Sequence, residues 1–365
     1  MSNKNIIITF IAGTVLSMAS AEAALLKTEV NDWDINIGGY VKVDLIIDSN
    51  QDQGDLAFTG GLKTGDIEEQ RSVRIHARES RLNFTAKNDG IKAVIETDFY
   101  GNGGNQVVSN SHSLRLRLAY IESDHWMVGQ NWSTFMDWIA YPKFVDFSSS
   151  PGVSFIRQSQ IRYTNNNWSF SLENPELKTY MGHSNDILPD MVVKYRKQGD
   201  LFSYYVAGLI RAADITNNSG VEDSVVAAAA HLGLAVNLGA KDKISISTIF
   251  GSPGRYNQEK WYSANAYIDS SGDAQAVSST SVAVAFKHQL DDGSFNASIA
   301  QLKIDRQDGL SVDTFEKSIE FHINRFWKMD DGIEYSVELQ HNRKVEFNGD
   351  DANNTRLQLG VKYAF

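Results

Sequence analysis

The chain has 365 residues, a formal net charge of −11 and no cysteine. The acidic balance argues against nonspecific nucleic-acid binding, and the missing thiols rule out a disulfide framework. No apolar run reaches the ~18 residues of a membrane-spanning helix, and only five prolines interrupt a chain rich in Gly, Asn, Asp and Ser. That balance suits a continuous sheet with many turns.

Lys4 followed by the apolar stretch Ile6–Met18 and the small-residue patterns Ala19-Ser20-Ala21 and Ala21-Glu22-Ala23 predicts a secretory signal peptide over residues 1–23. Cleavage is expected after Ala23, with Ala21 the second choice. Residues 24–34 are then a short lead-in, and residues 35–365 the body of the protein.

From Ile35 onward the sequence alternates between apolar and polar positions with the period of a strand. The segments are separated by two kinds of connection. Short ones fall at 88–90, 123–124, 165–167, 198–200, 238–240, 291–293 and 328–332, several with the Asp-Gly chemistry of tight hairpins. Long polar ones fall near 48–70, 101–112, 132–156, 174–189, 213–223, 252–275, 306–313 and 347–352. Seven short turns alternating with eight long loops give sixteen strands and the asymmetry of an outer-membrane β-barrel. The expected fold is therefore an all-β, sixteen-stranded antiparallel transmembrane barrel. Trp261–Ile268 is an extra strand candidate, placed inside the sixth long loop because counting it breaks parity.

Alternation assigns faces. Ile35, Ile37, Val41, Val43, Leu45 and Ile47 face lipid, so Tyr40, Lys42 and Asp44 face inward. Leu82 and Phe84 outward place Arg81 and Asn83 inward; Ile91, Ala93, Ile95 and Phe99 outward place Glu96 and Asp98 inward. Leu114, Leu116, Leu118 and Tyr120 outward place Arg115 and Arg117 inward, and Ile161 and Tyr163 outward place Gln160 and Arg162 inward. Lysine or arginine on the lipid face costs about 2–4 kcal/mol at the midplane, so the inward choice is the cheaper one each time. Trp168, Phe170, Tyr195, Phe321, Trp327, Tyr335 and Phe347 are candidates for the interfacial aromatic girdles.

The third long loop differs in kind. It carries Trp132, Phe135, Trp138, Tyr141, Phe144 and Phe147, a density that marks an interaction surface. The economical expectation is that it folds into the lumen and narrows it, with Asp137, Lys143 and Asp146 lining the narrow zone; an extracellular cap or a contact between copies is the alternative. Arg81, Arg115, Arg117 and Arg162 are expected to form a basic ladder that favours anions, faced by Glu96, Asp98, Asp137 and Asp146. Arg157 has the outward parity of Ile161 and belongs either to that ladder or to the loop base. Neutralisation of the wall by Arg–carboxylate pairing is the competing role. The acidic first loop (Asp48, Asp52, Asp55, Asp66, Glu68, Glu69) reads as a solvated face, with divalent bridging to lipopolysaccharide as the alternative.

The chain closes on Leu357, Leu359, Val361, Tyr363 and Phe365 on one face. The terminal aromatic resembles the signal read by barrel-assembly machinery, although a soluble edge strand has the same pattern. The eight histidines are scattered with no Ser–His or Asp–His pairing of the kind an outer-membrane hydrolase needs, so no enzyme, cofactor or metal is expected.

Gly129-Gln-Asn-Trp-Ser-Thr-Phe-Met-Asp137, Pro142, Val145-Asp-Phe147, Arg157-Gln-Ser-Gln-Ile-Arg-Tyr-Thr164, Ser171-Leu-Glu-Asn-Pro175 and Leu114-Arg-Leu-Arg117 together resemble the DcaP-like family of outer-membrane porins. The close match covers residues 35–175. The resemblance implies a homotrimeric sixteen-stranded porin passing small anionic solutes, dicarboxylates among them. Some members carry a helical extension before the barrel; the short lead-in here leaves no room for one. A structural or adhesive barrel with an occluded lumen is the runner-up.

Overall fold

A computed structural model describes residues 24–65, 68, 70–103, 110–257, 265–306, 311 and 314–365. The signal-peptide reading, Trp261 to Ala264, and Asp66 and Glu69 of the first loop lie outside the described residues.

The strands in chain order are β1 (Ala24–Val30), β2 (Trp33–Asp48), β3 (Ser72–His76), β4 (Arg81–Asn88), β5 (Ile91–Asp98), β6 (Arg115–Ser123), β7 (Trp126–Trp132), β8 (Arg157–Asn165), β9 (Trp168–Glu173), β10 (Gly182–Asp186) and β11 (Asp190–Lys197). They continue as β12 (Phe202–Asn217), β13 (Glu222–Leu238), β14 (Asp242–Gly251), β15 (Ala266–Ile268), β16 (Ala274–Ala276), β17 (Ser279–Leu290), β18 (Gly293–Ile304), β19 (Phe315–Lys328), β20 (Glu334–Glu346) and β21 (Asp351–Ala364). Each barrel strand pairs antiparallel with its neighbours, and β21 returns to β2 over Tyr40↔Ala364 to Asp48↔Arg356. β3 and β4 share one course along β2, and β10 and β11 share another along β12. Among the described residues this makes a closed barrel of sixteen staves, and closure leaves no free sheet edge. The Ala266–Ile268 segment is a strand, but it pairs with β16 in a separate hairpin within the sixth loop, and with Thr179 through a single bridge, rather than joining the barrel.

The seam has a feature absent from the sequence reading. β1, within the expected lead-in, pairs with the first half of β2 from Ala24↔Gly38 to Val30↔Trp33. Asn31 and Asp32, both at positive φ (49° and 64°), make the tight turn between them. β1 thereby prolongs the line of β21, and Phe365, just past the end of β21, exchanges two backbone hydrogen bonds with Gly39 (3.1 and 3.0 Å).

The expected lipid face is exposed and apolar, with Val41, Val43, Leu82, Ile95, Leu116, Ile161, Leu357 and Val361 all outward. One assignment is corrected. The register between β5 and β6 shifts between Glu96 and Thr97, where Glu96 opposes Leu118 and Thr97 opposes Leu116. Arg117 is the extra residue of this bulge, which flips parity below it. Leu118 and Tyr120 therefore turn inward, and Ile121 (58% exposed) takes the outer face. Two loop boundaries also differ. Alternation in β12 continues to Asn217, leaving only residues 218–221 where a longer loop is expected. The upper wall there packs Ala213, Ile215 and Val225 against Leu177 and Ala266. Trp168 and Tyr195 (ring centroids 4.9 Å), and Trp327 and Tyr335 (5.9 Å), line the short-turn rim as an aromatic belt. Phe347 does not join it and packs on the cluster of Tyr267, Leu302 and Phe315.

Candidate functional site

Residues 133–156 lie against inner-face side chains of the barrel. Phe135 is fully buried among Val192, Ala207, Leu209, Ile249 and Tyr256, a gain of about 1.5–3 kcal/mol over leaving it wet. Ile139 and Ala140 pack on Tyr205 and Ala235, and Val153 on Ala283 and Ala300. At Gly152 (φ 80°) a Cβ would lie 2.5 Å from the Ala283 amide nitrogen, so only glycine allows the loop to press this closely on β17.

Polar anchors fix the same segment. His231 is fully buried, its Nδ1–H donates to the Phe135 carbonyl (2.7 Å), and its Nε2 accepts from Tyr205 Oη (2.6 Å). Lys194 and Lys243 donate to the carbonyls of Met136 and Ile139 (2.7 and 2.8 Å). Asp137 sits between Lys194 and Arg196 (both 3.1 Å). Burial alone raises the Asp137 carboxyl; Lys194, Arg196 and the Ile139 amide outweigh it and hold it below the usual range. At the far end the amides of Val145 and Asp146 donate to Glu338 (3.0 and 3.2 Å). Arg356 grips Asp48 with two donors (2.9 Å each) and Asp146 with a third (2.8 Å). Burial again works against the Asp146 charge, and Arg356 with the Ser148 and Ala57 donors overrides it, leaving the carboxyl depressed.

These contacts re-sort the expected residues. Asp137 and Asp146 are buried anchors rather than lining charges, because each is consumed by basic partners on the wall. Arg162 donates to the Trp132 carbonyl and to Gln160 Oε1 (3.1 Å). It holds the loop base and does not join the other arginines. Lys143 lies with its ammonium 3.5 Å from the Phe326 ring centroid and 4.0 Å from Glu334. Burial pushes that ammonium down to about 8, Glu334 partly opposing and Lys362 and Lys287 adding to the fall.

The remaining residues do converge. Asp98 takes Arg115 through two donors (2.9 and 2.6 Å) and Arg117 through one (3.0 Å). Arg117 also donates to Glu96 (2.6 Å), and Arg81 stands 3.6 Å from the same carboxylate. The Phe147 ring faces all three guanidinium groups at 6.0, 5.6 and 5.0 Å for Arg81, Arg115 and Arg117, and stacks on Tyr100 at 5.3 Å. Arg157 joins this group from the loop base, 4.9 Å from the Trp132 ring. Its Nη1 is buried and makes no hydrogen bond with a described residue. Four guanidinium groups thus share two carboxylates, and the cluster carries a positive excess.

The profile of the DcaP outer membrane protein family matches residues 27–365. The chain belongs to that family. The outer membrane channel DcaP of Acinetobacter baumannii superposes with a TM-score of 0.83 at 20% identity, covering 93% of this chain and all of that one. An anion-selective porin from Comamonas acidovorans gives a TM-score of 0.56 at 12% identity, over 91% of this chain and all of that one. Salmonella typhi OmpF gives 0.57 at 10%, over 93% and 100%. No curated protein matches. Membership in the DcaP family places the chain among outer-membrane channels and porins, which points to a transporter rather than an enzyme.

Reading by alternation missed several residues of this DcaP-family barrel. Arg356 and Glu338 are central to the loop anchor, and Glu79 pairs with Lys42, which alternation places inward together with its other partner Asp44 (3.2 Å). Arg356 was accessible in principle, since the outward parity of Leu357 sends it inward. Asp52 and Asp55 of the acidic first loop are engaged by Arg74 (2.8 and 3.2 Å), so these two are paired charges rather than a solvated face.

Proposed function

We propose that the barrel is a passive diffusion channel of the outer membrane that prefers small anionic solutes, dicarboxylates among them, and that it works as a homotrimer exported by its signal peptide. The carrying observation is Arg157, a guanidinium without a carboxylate partner among the described residues, beside Arg81, Arg115 and Arg117. In a channel, selectivity follows from diameter and lining charge. A guanidinium stays charged and engages a carboxylate with two donors. The loop carrying Phe147 lays an apolar ring against this basic wall, so a solute in transit meets guanidinium groups bordered by rings.

The anion-selective porin of Comamonas acidovorans, alike in fold, supports the preference by analogy, and OmpT of Vibrio cholerae, alike in fold and described in a trimer form, supports the assembly. Planar-bilayer recording under a salt gradient tests the reading. A reversal potential of anionic sign, with current reduced by added dicarboxylates, is expected. Cation preference overturns it, and absence of conductance together with absence of liposome swelling favours the occluded-lumen reading instead.

A further inference from the structure

We propose that Lys143, Lys243 and Lys287 form a second anion station near the short-turn end of the lumen, which takes a carboxylate of the solute between the loop and that mouth. The inference rests on the anion-channel reading above and extends it to a site separate from the arginine wall.

The register carries the argument. Lys243 of β14 and Lys287 of β17 are directly opposed partners. Both share the inward parity of their strands: Ser245, Ser247 and Ile249 are buried on one, Ser281 and Ala283 on the other. Directly opposed like charges destabilise a sheet, and a carboxylate beside them is the usual remedy. None is supplied. The same row continues to Asn237 on one side and to Asn296 and Asn324 on the other. Among nearby acids, Asp242 is bound to His288 (2.7 Å), Asp137 is held by Lys194 and Arg196, and Glu338 receives the loop amides.

Their contacts with the described residues leave the two strand lysines without a carboxylate, and give Lys143 one only at 4.0 Å. Lys243 reaches the Ile139 carbonyl (2.8 Å), and Lys143 lies on the Phe326 ring with Glu334 at 4.0 Å. Lys287 makes no hydrogen bond or ion pair with a described residue, and its charge works against that of Lys143. Both strand lysines stand within a few residues of short turns, whereas Arg115 and Asp98 stand at the long-loop ends of their strands. The two basic groups therefore lie in series along the path. Two carboxylates of one solute match two such groups better than one carboxylate does.

The test is a Lys243→Gln/Lys287→Gln double variant in planar bilayers, with glutarate added to each compartment in turn and acetate as the monoanion control. Glutarate block from the short-turn side is expected to weaken by about tenfold, the worth of a lost charge-assisted contact, while block from the long-loop side and by acetate changes little. The unfolding midpoint is expected to change little, since relief of the opposed charges offsets the lost Lys243 bond to the Ile139 carbonyl. Unchanged glutarate block from the short-turn side in a parent that is anion-preferring overturns this station alone. A parent without anion preference overturns the channel reading as well.

Discussion

The two walls of the lumen use charge differently. On the side of β11 to β14 and β19 to β21, every loop carboxylate is matched by wall cations: Asp137 by Lys194 and Arg196, Asp146 by Arg356. On the side of β4, β6 and β8, guanidinium groups outnumber the acids among the described residues, and Arg157 has none. The first wall spends these charges on holding the loop, with Lys243 left facing Lys287 near the short turns. The second keeps a surplus, and only surplus charge acts on a passing ion. Inward placement of a charge is thus a poor guide to its role until its partners are known.

The largest expected effect comes from breaking the anchoring wall. Arg356→Gln leaves Asp48 and Asp146 buried without their cation, and removing one partner of a buried network costs about 3–5 kcal/mol. Denaturant unfolding should show a loss of that order, and single-channel traces should become noisy as residues 145–148 lose their hold. A variant with parental stability and quiet current would show that the Glu338 contacts with the Val145 and Asp146 amides suffice.

The surplus wall should respond in the opposite way. Arg157→Gln orphans no acid, so stability should be unchanged. The anion-over-cation permeability ratio should fall on the order of threefold, the effect of one unit charge near the path in a partly screened medium. If stability falls instead and selectivity holds, Arg157 belongs with the anchors and the contrast between the walls fails.

The sequence makes the barrel legible because lipid enforces a rule every second residue. Leu82, Ile95, Leu116 and Ile161 declare the outer face, and Arg81, Asp98, Arg115 and Arg162 follow from them. The bulge at Arg117 was not legible, since one extra residue changes the parity of Leu118 and Tyr120 without any change in composition. The fate of the loop was half legible: its aromatic density announces burial, but nothing periodic links Asp146 to Arg356, which lie 210 positions apart. Hence the arginine cluster was largely foreseen, while Asp137, Asp146 and Arg162 changed role once their partners were visible.

A smaller effect should separate Lys143 from the arginines. Its ammonium is held near 8, whereas guanidinium groups stay charged across the accessible range. Raising pH from 7 to 9 neutralises Lys143, so anion preference should decline modestly over that interval. The decline should vanish in Lys143→Gln, whose preference at pH 7 should already equal that of the parent at pH 9. Persistence of the pH dependence in that variant would assign it to another group.

The smallest effect sharpens the contrast from outside. Lys241 and Asp291 also form an ion pair (3.1 Å), but at the short-turn rim with side chains 57% and 97% exposed. Solvent screens such a pair and side-chain entropy opposes it, so it is worth little. Lys241→Gln should shift stability by less than about 0.5 kcal/mol and leave reversal potential unchanged. Its geometry is as good as that of Lys194 with Asp137, so equal effects from the two would mean that distance alone sets the value of a pair. A silent Lys241→Gln beside a costly Arg356→Gln would show that burial sets it, because only a desolvated carboxylate leaves an expensive orphan when its cation is removed.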